Sequence, residues 1–162
     1  MTFSIINKEN YPEVAQIYEY GINTGLATFE TQIPNWFQWD SKYLPFARLA
    51  LVAQGHIAGW AALSAVSKRK VYSGVAEVSV YVSENFQQKG VGTMLLKKLI
   101  HESELNGIWT LQSGIFSDNT ASIKMHEKCG FRTIGYRQRI GQLRGIWYDN
   151  IIMEKRSQVV GI

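Results

Sequence analysis

The sequence predicts an α/β (α+β) fold in which helices flank a mixed β-sheet. The first observation is the order of its patterns: short apolar runs typical of strands and segments of helical periodicity follow one another as β-α-α-β-β-β-α-β-α-β-β. The second is size and composition. A chain of 162 residues, 46% hydrophobic and 19% charged, suits one globular domain over residues 1–162 with a real hydrophobic core.

The elements of the first half have local signals. A short apolar strand at Ile5 precedes a helix with an apolar row, formed by Val14, Ile17 and Tyr18. A polar, glycine-containing loop follows, and residues 37–44 predict a second short helix. The run from 48 to 66 reads as two strands joined at residues 54–56, where Gln-Gly-His is a hairpin signal.

The second half alternates between the two periodicities. Residues 75–83 are rich in valine and predict a strand, and 91–107 predict a helix that ends in glycine. Its inward row is Leu95, Leu96, Leu99 and Ile100. A strand at 109–116 and a helix at 119–130 follow, and 131–156 predict two last strands around a glycine-containing loop.

Composition narrows the class of protein. Seventeen Lys and Arg against thirteen Asp and Glu give a net charge of +4, and the densest basic run is 68–70, so we expect no nucleic-acid partner. No apolar run reaches the roughly 18–20 residues of a membrane span. The N-terminus lacks a basic segment followed by an apolar one, and Cys129 is the one cysteine. We therefore expect a cytoplasmic protein with no metal and no membrane association.

The strongest motif is a glycine turn between a strand and a helix. It consists of Gln87, Gln88, Lys89, Gly90, Val91, Gly92 and Thr93. Glycines let backbone N–H groups approach a ligand, and the start of a helix carries partial positive charge. The turn therefore predicts a phosphate or pyrophosphate site. An ordinary strand-to-helix loop remains the alternative, and neither the Rossmann nor the Walker A pattern is present.

This Q-x-x-G-x-G pattern, after a strand reading SVYVS, resembles the acyl-CoA signature of the GNAT superfamily of N-acyltransferases. A second segment, SDNTASIKMHEKCGF at 117–131, is similar to another motif of that superfamily at the expected distance. Within it, the sequence most resembles the phosphinothricin and methionine-sulfone (methionine sulfoximine) acetyltransferases. Four segments carry that likeness: ATFET at 27–31, 68–82, 124–131 and GIWYD at 145–149.

The resemblance implies a mostly antiparallel sheet of about six or seven strands whose central strands splay apart, and acetyl-CoA as co-substrate. Backbone groups of Val80, Tyr81 and Val82 would face the pantetheine arm, and residues 88–93 the pyrophosphate. Gln87 stands where many relatives have Arg, and Lys89 could supply the missing charge. Asn119 and Lys128 would also contact the cofactor, although Asn119 could simply cap its helix.

Glu77 is the predicted general base. Counting by two along its strand places Ser79 and Tyr81 on its face, with Val78, Val80 and Val82 on the other. Burial would raise its pKa toward a useful value. The alternative is a structural ion pair with a Lys or Arg.

His126 is the predicted general acid, at the position where many relatives have the Tyr that protonates the CoA thiolate. Histidine can do this near neutral pH. It could instead position water or the cofactor, or be an ordinary helix residue. Tyr81 and Tyr136 are competing candidates for the acid.

For the acceptor, the resemblance implies that Arg69 binds the carboxylate of an amino acid, with Tyr72 beside it. Phe29 and Glu30 would line the pocket, and Trp147 and Tyr148 would close it, with a neighbouring subunit as one possible source. Well-known members often have His where Tyr148 stands, so the exact amino acid stays open. We expect Trp36, Trp39 and Trp60 in the core or an interface.

The predicted function is acetyl transfer from acetyl-CoA to the α-amino group of a small amino-acid analogue, such as phosphinothricin, methionine sulfone or methionine sulfoximine. Direct transfer in a ternary complex is expected, because Cys129 lies in a helix-end context that suits a packed thiol. Two alternatives remain: acetylation of another amine or a protein N-terminus, and a non-catalytic acyl-CoA-binding domain. A homodimer is implied by the subgroup.

Overall fold

The computed structural model describes residues 1–162, and its framework is one seven-stranded sheet with the strand order β1-β2-β3-β4-β5-β7-β6. The strands are β1 Thr2–Ile5, β2 Leu49–Ala53, β3 His56–Ala65, β4 Val75–Val82, β5 Thr110–Phe116, β6 Arg132–Leu143 and β7 Ile146–Arg156. The helices are α1 Tyr11–Thr24, α2 Trp36–Lys42, α3 Val91–Leu105 and α4 Thr120–Lys128. This order of elements is the predicted one.

The sheet is antiparallel except where β4 meets β5. These two strands are parallel and pair over three residues each, Val75–Glu77 with Thr110–Gln112. Beyond that point β4 continues to Val82 and β5 to Phe116 without pairing to each other. The predicted splay of the central strands is therefore confirmed, and it leaves the backbone N–H and C=O groups of 78–81 that face away from β3 available for another partner.

The two faces of the sheet carry different cores. On one face Leu95, Leu96 and Leu99 of α3 are fully buried in a cluster that includes Val78. On the other, Trp39, Trp60 and Tyr18 form an aromatic cluster under α1 and α2. Trp39 and Trp60 are thus core residues, as predicted, while Trp36 is half-buried and stacks on Trp39.

Local chemistry explains where the elements begin and turn. The β2–β3 hairpin turns at Gln54 and Gly55, which both have positive φ. Helix α2 starts with a capping box, in which the Asn35 side chain accepts from the Gln38 backbone and the Gln38 side chain accepts from that of Asn35. The N-cap of helix α3 is Gly90, whose φ of +78° is a left-handed conformation that favours glycine.

Strand β6 is irregular beside its partner β7. Arg137 pairs with Asn150 and Gly141 with Tyr148, so the three residues 138–140 lie opposite the single residue Asp149. The Asp149 carboxylate accepts from the Arg139 backbone N–H at 2.6 Å and from the Tyr136 hydroxyl. One acidic side chain therefore holds this bulge in place. None of the four helices is both long and apolar enough to cross a membrane.

Candidate active site

Two cavities meet where β4 and β5 splay apart. The first, of about 420 Å³, lies against the glycine turn and the start of α3, and we call it the glycine-turn cavity. The second, of about 300 Å³, contains Glu77, and we call it the Glu77 cavity. Six residues line both of them: Leu26, Ala27, Val80, Tyr81, Asn119 and Ser122. A molecule reaching from one cavity to the other would pass along the unpaired edge of β4.

Most of the residues predicted to bind the cofactor line the glycine-turn cavity. They are Val80, Tyr81, Val82, Gln87, Gln88, Gly90, Val91, Gly92, Thr93 and Asn119. The Gln87 side chain donates to the Val82 carbonyl at 2.9 Å, which ties the turn to the end of β4. At Gly92 an added Cβ would lie 2.6 Å from the Met125 sulfur, so a glycine there lets α3 and α4 approach closely.

Two predicted cofactor residues lie outside this cavity. The Lys89 ammonium donates to the Asn85 carbonyl at 3.0 Å and lies 5.2 Å from the centre of the Phe86 ring. Lys128 is exposed at the end of α4. The structure therefore does not bring these two cations into contact with the cavity, and their roles stay predictions.

Asn119 serves as a helix cap and also faces both cavities. Its side-chain oxygen accepts from the Ser122 backbone N–H at 3.2 Å, which is the N-cap bond of α4. Its amide donates to the Leu26 carbonyl at 3.2 Å. The alternative reading as a cap is thus confirmed, and the side chain holds the loop after α1 next to the splay.

Glu77 is a half-buried carboxylate on the wall of the second cavity. Burial raises its pKa, and the positive charges of Lys42 and Arg137, with a hydrogen bond to Gln112, oppose that rise. Glu77 takes part in none of the ion pairs of the chain, all of which are 4.0 Å or shorter. The structural ion pair is therefore not formed, and the carboxylate remains available to take a proton.

The faces of β4 are as predicted. Tyr81 stacks between Tyr18 and Trp60, with ring centres 4.9 Å and 4.8 Å away, and Ser79 accepts from the Tyr43 hydroxyl. Val78 belongs to the opposite cluster. Glu77 thus shares its face with an aromatic wall.

His126 is only 3% exposed, and it lines the Glu77 cavity from α4. Its Nδ1 lies 2.7 Å from the Ser122 carbonyl oxygen, so the Nδ1–H donates there, and Nε2 is buried without a hydrogen-bond partner. Burial lowers the pKa of this imidazole. The neutral ring therefore presents a bare Nε2 that can accept a proton, which a histidine acting as an acid from the outset could not do.

The competing tyrosines have other surroundings. Tyr81 lines both cavities, but burial is the largest cause that raises the pKa of its hydroxyl far above the ordinary value, which makes proton release costly. Tyr136 is exposed, lines neither cavity and donates to Asp149. Its hydrogen bond to that carboxylate raises its pKa.

The predicted acceptor residues divide into two groups. Phe29 and Glu30 line the Glu77 cavity, and Phe29 is held by Phe116, whose ring centre lies 4.5 Å away. Arg69 and Tyr72 lie outside the cavity, on the loop before β4, where the guanidinium stands 5.4 Å from the centre of the Tyr72 ring. Trp147 is exposed on β7, whereas Tyr148 stacks on Phe116.

The family comparison decides the class of the chain. Residues 8–131 match the model of the acetyltransferase (GNAT) family. The chain belongs to the GNAT family. It is 30% identical to the phosphinothricin N-acetyltransferase of Alcaligenes faecalis over 161 residues, which cover 95% of this chain and 81% of that one.

Two further similarities extend this finding. The L-methionine sulfoximine/L-methionine sulfone acetyltransferase of Pseudomonas aeruginosa is 31% identical over 119 residues, covering 74% of this GNAT chain and 69% of the relative. The structure of yncA from Salmonella typhimurium, solved with its cofactor acetyl-CoA, superposes with a TM-score of 0.88 at 26% identity. That match covers 96% of this chain and 93% of the other.

Four residues of this GNAT site with charged or amide side chains were not predicted from the sequence: Lys42, Gln112, Arg137 and Asn150, which all line the Glu77 cavity. Asn150 is buried with an unpartnered Oδ1. The sequence does contain a signal for Asn150. Alternate residues of a strand share a face, so this polar residue lies on the same face of β7 as the apolar Ile152. Arg137 gave no such signal, since the bulge in β6 interrupts the alternation. The structure contains no group of three His, Cys, Asp or Glu residues that could hold a metal ion.

Proposed function

We propose that this GNAT chain transfers the acetyl group of acetyl-CoA to the α-amino group of a small amino-acid analogue, such as phosphinothricin, methionine sulfone or methionine sulfoximine. One observation carries the proposal. Two cavities meet along the unpaired edge of β4, one against a helix N-terminus and the other against a carboxylate with a raised pKa. Such a site can hold a long anionic co-substrate and a small amine at once.

The glycine turn fits the cofactor end. The first backbone N–H groups of α3 have no partner within the helix, and the helix dipole favours an anion there. Gly90 has no atom within 4 Å of the position of an added Cβ, so the space beside the turn is open. The N–H and C=O groups of 78–81 that are unpaired toward β5 could bond the amides of the pantetheine arm.

Glu77 would act as general base on the acceptor. An amine must lose a proton before it can attack the acetyl carbonyl, and a carboxylate with a raised pKa is better suited to accept it than an ordinary surface carboxylate. The half-buried position leaves room for a water to carry the proton.

His126 would handle the second proton. After attack, the nitrogen still carries a proton that must leave, while the departing thiolate needs one. The bare Nε2 can take that proton and return it to the sulfur, with the ring held by the Ser122 carbonyl. In this scheme His126 becomes the acid only after it has acted as a base.

Direct transfer in a ternary complex agrees with the placement of Cys129. The thiol is buried, lines neither cavity, and burial raises its pKa, so a thiolate nucleophile is disfavoured. The acetyl group would therefore pass straight to the amine.

The size of the Glu77 cavity bears on the alternatives. About 300 Å³ suits a small molecule, and the loop residues Thr28, Phe29 and Glu30 together with Lys42 wall it on the α2 side. A peptide N-terminus would need an open groove. A non-catalytic acyl-CoA-binding domain would need no carboxylate with a raised pKa beside the splay.

A homodimer through the β6–β7 hairpin is part of the proposal. Strand β6 is a twelve-residue edge strand, and the hairpin exposes five large apolar side chains: Ile134, Tyr136, Ile140, Ile146 and Trp147. Such an edge invites pairing with another chain. Light scattering should give twice the chain mass, and Trp147→Glu should lower it toward one; a wild type that is monomeric at micromolar concentration contradicts the dimer.

The function is tested by thiol release from acetyl-CoA with a panel of amines. The panel contains phosphinothricin, methionine sulfone, methionine sulfoximine, common amino acids and a peptide with a free N-terminus. Turnover of the small analogues and not of the peptide is the expected result. Turnover of the peptide alone would favour the alternative acceptor, and acetyl-CoA binding without any turnover would favour the binding domain.

A further inference from the structure

Arg137 is the arginine of the Glu77 cavity, and it has no carboxylate partner. No carboxylate oxygen lies within 4.0 Å of its guanidinium, whereas Arg48 pairs with Asp40 and Arg132 with Glu154. Lys42, the other cation of the cavity, has Glu30 at 4.0 Å and the Tyr18 hydroxyl at 3.5 Å. A guanidinium at a cavity wall without an anion is suited to receive one from a ligand.

The bulge in β6 places this side chain. Arg137 is the last regularly paired residue before the bulge, opposite Asn150, whose side chain also lines the cavity. Asp149 fixes the bulge by accepting from the Arg139 N–H and the Tyr136 hydroxyl, on either side of Arg137. Bulges change the direction of side chains next to active sites, and the hydrogen bonds of Asp149 stabilise this one.

The position of Arg137 also says which ligand it would meet. Arg137 lines the Glu77 cavity and not the glycine-turn cavity, so its anion is not the pyrophosphate of the co-substrate. It lies close enough to Glu77 to attract that carboxylate electrostatically. An α-amino acid carries its amine and its carboxylate on the same carbon, so an amine at Glu77 brings a carboxylate toward Arg137.

We propose that Arg137 binds the α-carboxylate of the acceptor and so selects α-amino acids over amines that lack this group. The inference rests on the proposed function and deepens it. It assigns to a residue of the cavity wall the role that the sequence resemblance gave to Arg69. A planar guanidinium can donate hydrogen bonds to both oxygens of a carboxylate in one geometry, which a lysine cannot match.

The test compares an acid with its amide. The panel member with the highest kcat/KM is used beside its α-carboxamide, which keeps the amine and removes the negative charge. Wild type should prefer the acid, and Arg137→Gln should reduce the acid-to-amide ratio of kcat/KM by about 10- to 100-fold, the range for hydrogen bonds to a charged group. The KM for acetyl-CoA should not change, and Arg137→Lys should keep part of the preference.

Arg132→Gln is the matched control, because Arg132 lies on the same strand outside both cavities. Thermal melting of each variant verifies folding. The inference is overturned if Arg137→Gln lowers acid and amide turnover equally, or if Arg69→Gln removes the preference while Arg137→Gln keeps it. A wild type that acetylates no α-amino acid overturns the proposed function, and this inference with it.

Discussion

The two cavities are built in different ways. Nine of the ten predicted residues that line the glycine-turn cavity come from one stretch, 80–82 and 87–93, around the strand-to-helix turn. The tenth is Asn119, the N-cap of α4, so most of this set is contiguous in sequence. The Glu77 cavity collects its polar groups from α2, β4, β5, α4, β6 and β7. The first cavity is formed around one strand-to-helix turn that contains two glycines, and the second by side chains that the sheet brings together. A turn at the start of a helix offers backbone N–H groups to an anion, whereas side chains from several elements can distinguish one ligand from another.

Among substitutions in the Glu77 cavity, Glu77→Gln should have the largest effect on the rate. Removal of a general base costs about 10²- to 10⁴-fold in rate, so kcat should fall by at least about 100-fold while the Kd for acetyl-CoA is unchanged. The wild-type kcat/KM should rise with pH through the raised pKa of Glu77, because the base works only when deprotonated. This rise of kcat/KM with pH should be absent in Glu77→Gln.

Glu127→Gln is the control for this substitution, since Glu127 is an exposed carboxylate on α4 outside both cavities. A structural role for Glu77 would appear as a lower melting temperature. If Glu77→Gln keeps wild-type turnover, or loses activity only in proportion to lost folding, the base lies elsewhere.

Substitution of two glycines tests the role of the glycine-turn cavity. Gly90 and Gly107 flank α3 with φ of +78° and +79°, and neither has an atom within 4 Å of an added Cβ. Alanine at either site should lower the free energy of unfolding by about 1–2 kcal/mol, the cost of a left-handed conformation. Gly90→Ala alone should also raise the KM for acetyl-CoA, by about tenfold if a similar free energy is lost from binding.

Equal effects of the two alanines on the KM for acetyl-CoA would mean that the turn is an ordinary loop. The measurement is urea unfolding together with initial rates at saturating acceptor. Because both glycines have the same conformation, stability alone cannot separate them.

The smallest predicted effect concerns the pH dependence of stability through His126. Its pKa is lowered in the folded chain, so as pH falls below the ordinary value of 6.5 the unfolded chain binds a proton that the folded chain does not. The free energy of unfolding should therefore fall with pH in this window, by at most about 1.4 kcal/mol per pH unit for one proton.

His126→Asn keeps a donor for the Ser122 carbonyl and removes the titrating ring. The difference in unfolding free energy between wild type and this variant should shrink as pH is lowered from 7 to 5. A difference that is constant over this range would show that the ring is not held neutral by burial.

Sequence patterns predict the glycine-turn cavity better than the Glu77 cavity, for physical reasons. Glycine spacing and strand-to-helix order are local, so Gln88, Gly90 and Gly92 could be placed before the fold was known. Glu77 could also be identified from the sequence, because a single acidic residue in an alternating strand is conspicuous. Arg137 could not be identified, since a bulge changes the direction of a side chain without leaving a sequence signal.

Long-range placement explains the other differences. The family resemblance predicts Arg69 at the acceptor carboxylate, but the loop before β4 places this residue outside the cavity of the single chain. Whether an exposed side chain such as Lys89 turns toward the cavity or toward Asn85 is decided by hydrogen bonds that the sequence does not reveal.

The central claim is that both cavities are filled at the same time and meet at the splay between β4 and β5. Initial rates measured over a matrix of acetyl-CoA and acceptor concentrations test it most directly. We expect double-reciprocal lines that intersect, as a ternary complex requires, and no acetylated chain by mass spectrometry without acceptor. Parallel lines, together with an acetyl group on the chain, would contradict the account.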